Sequence, residues 1–187
     1  MRKREANNPF KTTHSQRLRT AKHEIGHAVV AMFYGGTFES IEVHSDRPLE
    51  SGATNIEKCS LGHYISGVVR GLGHGLQDRE YVVALMGGAA GTKVNRVQHG
   101  GFTLRDVFSG CESDWRLAVD VATPQHIGYF ARRAKDVDQY LNECHAVAHQ
   151  IIRRHKATHV ALVEALLREG NLSFEKCKDF WDEQFTH

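Results

Sequence analysis

Residues 20–36, TAKHEIGHAVVAMFYGG, join a polar segment to a continuous apolar run that ends at a double glycine. The apolar spacing predicts one long helix over about residues 15–33, and the Gly35-Gly36 pair is its stop. HEIGH, residues 23–27, lies in the middle of this helix. The motif is therefore expected on a helix rather than in a loop.

HEIGH has the composition of a zinc site. His23 and His27 lie one helical turn apart, so both imidazoles can bind one ion at about 2.0–2.1 Å from each nitrogen. Glu24 lies next to the ion but outside the row of ligands, where it can take a proton from an attacking water. The pattern predicts one Zn²⁺ per chain and hydrolysis of a peptide bond, with Glu24 as the general base.

A catalytic zinc needs a third protein ligand and one open position. The residues after HEIGH contain no histidine where an HExxHxxGxxH extension would place it, so that class of protease is excluded. Glu112 and Asp114, near the start of a predicted helix in FSGCESDWRLAVDVAT, are the candidates for this ligand. A carboxylate at that position could instead cap the helix, and the spacing alone leaves the choice open.

Composition indicates one globular domain. The chain has 187 residues, of which 41% are hydrophobic, and its net charge is +2. Residues 1–22 hold seven Lys or Arg and one Glu, a local charge of +6, so the remainder carries −4. We expect a basic, flexible arm over residues 1–14 and a single domain over residues 15–187. Without interleaved aromatic residues, the arm is not expected to bind nucleic acid.

Several classes of protein are not expected. The apolar runs are shorter than the roughly 20 residues of a membrane span, and the first residues lack the apolar core of a signal peptide. The four cysteines form no CxxC pair, which excludes a local zinc ribbon and favours reduced, partly buried thiols. We therefore expect a soluble, cytoplasmic protein.

The remaining pattern predicts a mainly α fold with a small β-sheet. Residues 38–44, FESIEVH, are a predicted strand, and residues 53–58, ATNIEK, are its predicted antiparallel partner. Either segment could be an edge strand that binds an extended peptide, or the two could form a purely structural hairpin. Residues 59–75 have no steady period and are predicted as a loop, with a lid as one reading.

Helices account for the rest of the chain. A helix over residues 77–94 contains the small-residue patch GGAAG, which would let another element approach closely, and a helix beginning near Glu112 should end at Pro124. Apolar residues recur at helical spacing over 137–152 and again from Val160 to Leu167, before a stop at Gly170. Ser173 is the predicted cap of a last short helix.

Two further histidine pairs share the four-residue spacing, His145 with His149 and His155 with His159. Neither pair encloses a glutamate at the position that Glu24 occupies. Both lie in amphipathic helices, so we expect structural or surface roles, with adventitious binding of zinc or nickel as the alternative.

Specific segments carry a family resemblance. AKHEIGHAVVA resembles the zinc-binding helix of the FtsH-type ATP-dependent metalloproteases, and SGCESDWRLAVDVAT resembles that family's later segment, in which an aspartate ligand opens a helix. LMGGAAG and the C-terminal VALVEALLREGNLSFEKCKDF are similar to other helices of the family's peptidase domain. The resemblance implies that His23, His27 and Asp114 bind zinc and that Glu24 is the general base. Glu112 is the substitute ligand if Asp114 is not the third one.

The sequence also departs from that family. It contains no GxxxxGK[ST] phosphate loop, and LMGGAAGTK lacks the arginine and glutamate that the family carries among the same small residues. We therefore expect a stand-alone zinc metallopeptidase for unfolded or flexible polypeptides, unless a separate AAA+ ATPase or regulator delivers its substrates. The alternative is a non-catalytic zinc-binding module that binds a polypeptide partner. The oligomeric state stays open.

Overall fold

The computed structural model describes residues 14–43, 67–93, 112–127 and 134–183. In chain order the described elements are α1 (His14–Phe33), β1 (Ser40–Val43), β2 (Gly67–Arg70), α2 (Asp78–Lys93), α3 (Glu112–Ile127), α4 (Ala134–Arg154), α5 (Lys156–Glu169), β3 (Asn171–Ser173) and α6 (Phe174–Glu183). This mainly helical fold with one small antiparallel sheet confirms the predicted α+β class. No described helix has the length and apolar character needed to cross a membrane.

Helix α1 forms the centre of the core. Ile25, Val29 and Val30 are fully buried, because α1 is covered by α2, by α5 and by the sheet. A helix enclosed in this way is expected to be apolar on most of its surface, as the run AVVAM is. The helix ends as predicted: Gly35 adopts a φ of 75°, and the amide of Gly36 donates to the carbonyl of Ala31. The HEIGH motif therefore lies on the helix at the centre of the described core.

Helices α1 and α2 cross with their backbones in direct contact. A Cβ atom added to Gly26 would lie 2.2 Å from the carbonyl oxygen of Gly87, and one added to Gly91 would lie 2.3 Å from that of Lys22. Nonbonded carbon atoms prefer separations of about 3.5–4.0 Å, so only glycine fits at this crossing. The predicted close approach at the GGAAG patch is confirmed.

The position of FESIEVH in the sheet differs from one of its two sequence readings. Strand β1 lies between β2 and β3 and is antiparallel to both, with Ile41 paired to Val69 on one side and to Leu172 on the other. Residues 40–43 of FESIEVH therefore form the central strand, which excludes the reading of this segment as an edge strand. ATNIEK, its predicted partner, lies outside the described residues.

Residues 67–70, which were expected in a loop, form strand β2. The prediction failed because Gly67 and Gly71, on either side of VVR, remove the alternating pattern, whereas pairing with β1 supplies the hydrogen bonds of a strand. The same pairing brings Gly67 opposite Val43. Strands β1 and β2 both contact α1.

Helix α3 continues through Pro124 to Ile127, so the prediction that it ends at the proline is wrong. The residue before a proline normally avoids the helical region. Thr123 nevertheless lies in the helix, and its hydroxyl donates to the carbonyl of Val119 at 2.6 Å.

The C-terminal helices follow the predicted spacing. Leu141, Cys144, Ala148 and Ile152 are buried along α4. Of the run predicted in α5, Val163 and Leu166 are buried and Leu167 is partly buried, whereas Val160 is 39% exposed. Helix α5 ends at Gly170, whose φ is 80°.

The remaining predictions for this half concern a cap and the thiols. The Ser173 hydroxyl accepts a hydrogen bond from the amide of Lys176, which confirms the predicted cap of α6. Cys144 and Cys177 are buried free thiols, as expected, and Cys59 and Cys111 lie outside the described residues. The predicted arm lies almost entirely outside them as well, and the domain boundary stays a prediction.

Candidate metal centre

Three donor atoms from two helices meet at one point. His23 and His27 project from α1, and Asp114 projects from the first turn of α3. Asp114 Oδ2 lies 2.9 Å from His23 Nε2 and 3.3 Å from His27 Nε2, and the two Nε2 atoms are 3.1 Å apart. Within the described ranges, no other group of three His, Cys, Asp or Glu residues gathers its donor atoms in this way.

The backbone of α2 fixes the orientation of His27. Its Nδ1 lies 2.8 Å from the carbonyl oxygen of Ala84, and because a carbonyl can only accept, Nδ1 carries the proton and donates it. Nε2 of His27 is then left with its lone pair, which is the form that binds a metal. The two imidazole rings stand almost perpendicular, at 88°, with centroids 4.7 Å apart.

The donor set fits zinc. Two imidazole nitrogens and one carboxylate oxygen are the three protein ligands expected of a catalytic site, which keeps its fourth position open. Asp114 Oδ2 is buried and makes no hydrogen bond of good geometry within the described residues, as expected of an atom that faces a cation. Burial would raise the pKa of Asp114, but His27 and His23, when protonated and positively charged in acid, hold that pKa well below its usual range, so the carboxylate is ionised near neutral pH.

Glu24 lies beside this cluster and is only 5% exposed. Strand β2 covers it: a Cβ atom added to Gly67 would lie 2.6 Å from Glu24 Oε1. Burial raises the pKa of Glu24 above its ordinary value, and the nearby His23 and His27 oppose that shift. A buried carboxylate with raised proton affinity next to the donor atoms suits a general base.

Helix α2 also packs directly on the donor atoms. A Cβ atom added to Gly88 would lie 2.5 Å from both His23 Cε1 and His27 Nε2. Sequence reasoning missed Gly88, Gly67 and the carbonyl of Ala84, although the GGAAG patch had indicated a close approach by some element. Of the two acidic candidates, the structure brings Asp114 to the histidines. Glu112 opens α3, and its role as a substitute ligand stays a prediction.

Three other described histidines, His145, His155 and His159, are buried away from this centre. His159, on α5, is 1% exposed, and its Nε2 lies 3.3 Å from the carbonyl oxygen of Lys22, to which it can only donate. His155 packs its ring on that of Trp181 at a centroid distance of 4.5 Å. His145 is 6% exposed. Burial lowers the pKa of both His145 and His159 to about 4, so both are neutral near pH 7.

Comparison with known proteins agrees with this geometry in part. A family model described as Peptidase M50B-like matches residues 8–67, which include HEIGH and all of β1. This stretch is similar to metallopeptidases. M50 peptidases are metallopeptidases, so the match supports a protease of that kind, but it does not support the FtsH-type assignment in particular and does not reach Asp114. No curated protein matches the chain.

Proposed function

We propose that the protein is a zinc metalloendopeptidase in which His23, His27 and Asp114 bind one Zn²⁺ and Glu24 is the general base. One observation carries the proposal: the carboxylate of Asp114 lies 2.9 and 3.3 Å from the two Nε2 atoms of HEIGH, although α3 is distant from α1 in sequence. The arrangement of ligands agrees with the FtsH-type resemblance of the same segments.

The roles of the side chains follow from their surroundings. Bound zinc would act as a Lewis acid that polarises the peptide carbonyl and acidifies water. Glu24, whose pKa burial raises, accepts the proton of the attacking water and can deliver it to the leaving amine nitrogen. The hydrogen bond from His27 Nδ1 to Ala84 keeps that imidazole oriented toward the centre.

The position of β2 supports a flexible polypeptide as substrate. Gly67, the first residue of β2, contacts Glu24, and within the described part of the chain β2 pairs only with β1. The other edge of β2 could therefore bind an extended peptide by strand addition and present its carbonyl beside Glu24. Only an unfolded or flexible segment can adopt this extended form. A separate AAA+ ATPase that unfolds and delivers substrates remains part of the proposal.

The test is cleavage of an unfolded, fluorescently labelled protein by zinc-loaded material without ATP. Glu24→Gln should keep zinc affinity within about threefold and lose hydrolysis by roughly 10²–10⁴-fold, because removal of a general base costs that much. Glu164→Gln, which alters an exposed carboxylate on α5, is the matched control and should retain full activity. Chelation should abolish cleavage and added zinc should restore it.

Two outcomes would reject the proposal in different ways. Full activity of Glu24→Gln would remove Glu24 from the mechanism. Zinc binding without cleavage by the parent would favour the alternative, a binding module that keeps the peptidase-like site without using it.

A further inference from the structure

Two glycines from different elements lie against His23, His27 and Glu24 of the candidate centre, and the following inference rests on the proposed function. At Gly88 of α2, an added Cβ atom would lie 2.5 Å from His23 Cε1, 2.5 Å from His27 Nε2 and 2.6 Å from His23 Nε2. The first contact and the third belong to one ring and the second to the other. A single methyl group at residue 88 would therefore collide with both imidazoles at once.

At Gly67 of β2, an added Cβ atom would contact Glu24 and Thr20. An added Cβ atom would lie 2.5 Å from Thr20 Cγ2, 2.6 Å from Glu24 Oε1 and 2.8 Å from Glu24 Cγ. All three distances are about an ångström shorter than a comfortable nonbonded contact. A methyl group at residue 67 would therefore displace the Glu24 carboxylate or the strand.

The backbone conformation does not require glycine at either position. The described glycines with positive φ are Gly35, Gly71, Gly73, Gly75 and Gly170. Gly67 and Gly88 are absent from this group, so alanine could adopt their backbone angles. Inside a helix, glycine is also less stable than alanine by about 0.5–1 kcal/mol. Helix propensity thus favours alanine at residue 88, and the space taken by the imidazoles opposes it.

We infer that Gly88 and Gly67 are positioning residues: Gly88 positions the two histidines, and Gly67 positions Glu24. Gly88 leaves the space in which His23 and His27 hold the orientation needed to bind zinc. Gly67 leaves the space in which Glu24 points at the substrate. A methyl group at residue 88 should therefore act on metal binding, and one at residue 67 should act on the base without loss of metal.

The first experiment compares Gly88→Ala with its neighbour Gly87→Ala. A Cβ atom at residue 87 would crowd the carbonyl of Gly26 at 2.5 Å and a methyl group of Val30, but no donor atom. Zinc affinity is measured by competition with a chelating dye, and the melting temperature Tm is measured with and without zinc. Gly88→Ala should bind zinc roughly 10–100-fold more weakly and lose most of the rise in Tm on zinc addition. Gly87→Ala should melt at a lower temperature but bind zinc within about threefold of the parent.

Each other result overturns the role of Gly88. Parent-like zinc affinity in Gly88→Ala would show that the imidazoles are not held by this contact. An equal loss in Gly87→Ala would show that both variants merely displace α2. Failure of Gly88→Ala to fold without zinc would also count against the role, because free imidazoles can rotate away from a new methyl group.

The second experiment examines Gly67→Ala, with Gly36→Ala as a control that crowds Leu76 at 2.5 Å away from the site. Gly67→Ala should keep its zinc affinity but show a kcat lower by about 10–100-fold, since a small misplacement of a reacting group costs this much. Thr20→Ser removes the nearest methyl group, so adding it to Gly67→Ala should restore part of the activity. Gly36→Ala should have the parent's kcat.

A probe that needs no turnover separates this inference from the proposed function. Acetohydroxamate binding is followed by the visible spectrum of the cobalt-substituted protein. Gly67→Ala should weaken binding about tenfold, as Glu24→Gln should, because the hydrogen bond to a charged carboxylate is lost. Parent-like binding by Gly67→Ala, or no binding by the cobalt-loaded parent, overturns the role of Gly67. A parent that binds zinc and acetohydroxamate but cleaves no protein would reject the proposed function alone.

Discussion

Two histidine pairs with the same spacing have different surroundings in this molecule. His23 and His27 on α1 stand perpendicular, with ring centroids 4.7 Å apart, and both face the carboxylate of Asp114. His145 and His149 on α4 are stacked, with an interplanar angle of 23° and centroids 6.5 Å apart. Instead of a carboxylate, the positive charges of Lys93 and Arg153 act on this second pair, on His145 and His149 respectively.

The difference shows what spacing alone does not determine. Four-residue spacing places two imidazoles on one helical face in both cases. A cation is stabilised where another element adds a carboxylate, as α3 does with Asp114, and it is repelled where a lysine or arginine lies nearby, as Lys93 of α2 and Arg153 of α4 do. Burial first, and the nearby positive charges second, lower the pKa of both histidines of the second pair. The first pair, in contrast, has the charge and geometry of a metal centre.

The largest expected effect is on metal affinity. Asp114→Ala should weaken zinc binding about a thousandfold, beyond the 10–100-fold that the loss of an outer hydrogen-bond partner costs, because a ligand itself is removed. Asp120→Ala, an exposed acidic residue of the same helix, is the matched control and should bind zinc like the parent. Both are measured by competition with a chelating dye. Parent-like affinity in Asp114→Ala would end the assignment of the third ligand.

The same measurement of zinc affinity tests whether the pair His145 and His149 also binds zinc. The double variant His145→Gln/His149→Gln should bind one equivalent of zinc with the parent's affinity. If the parent binds a second equivalent that this variant lacks, the two pairs are alike after all. The nearby positive charges would then have been given too much weight.

The next effect is on stability in acid. Burial lowers the pKa of His145 and His159 from the ordinary 6.5 to about 4, so the unfolded chain binds more protons than the folded chain between these values. The free energy of unfolding should therefore be fully present above pH 6.5 and fall as the pH drops toward 4. The fall corresponds to about 3 kcal/mol per imidazole.

Urea unfolding of the zinc-free protein at several pH values between 7.5 and 4.5 measures this fall. His159→Gln should flatten the profile, because glutamine does not titrate and its amide can still donate to the carbonyl of Lys22. Glu24, with its raised pKa, shifts stability in the opposite direction, so the comparison is made between variant and parent. An unchanged profile in His159→Gln would show that His159 is not kept neutral by burial.

The sequence predicted those parts of the molecule that local pattern determines. Helix α1 and its glycine stop, the apolar spacing of α4 and the Ser173 cap all depend on residues close together in the chain. Strand β2 was missed because its pairing partner, β1, is distant and because Gly67 and Gly71, on either side of VVR, hide its period. Pro124 misled because the preference of the residue before a proline is a tendency, and α3 continues through Pro124 despite it.

The candidate site shows the same division. HEIGH gave His23, Glu24 and His27 from spacing and known zinc chemistry. Spacing left Glu112 and Asp114 as equal candidates, and only the family resemblance favoured Asp114. Which carboxylate reaches the histidines depends on the packing of α3 on α2, and that packing cannot be seen in the spacing. The contacts of Gly88 and Gly67 could not be predicted, because a glycine in a sequence does not reveal which atoms occupy its space.

The smallest expected effect concerns the cap of α6, and it asks whether the histidine-rich half can be weakened without disturbing the metal centre. The Ser173 hydroxyl accepts from the amide of Lys176, and α6 packs on α5, which carries His159. Ser173→Ala should lower the free energy of unfolding by about 1 kcal/mol, measured in urea, because one helix amide loses its acceptor. Ser173→Asp keeps an acceptor and should be close to the parent. Zinc affinity should be the same in all three proteins, since no donor atom contacts α6; a parallel loss of affinity in Ser173→Ala would mean that packing in the C-terminal half also sets the geometry of His23 and His27.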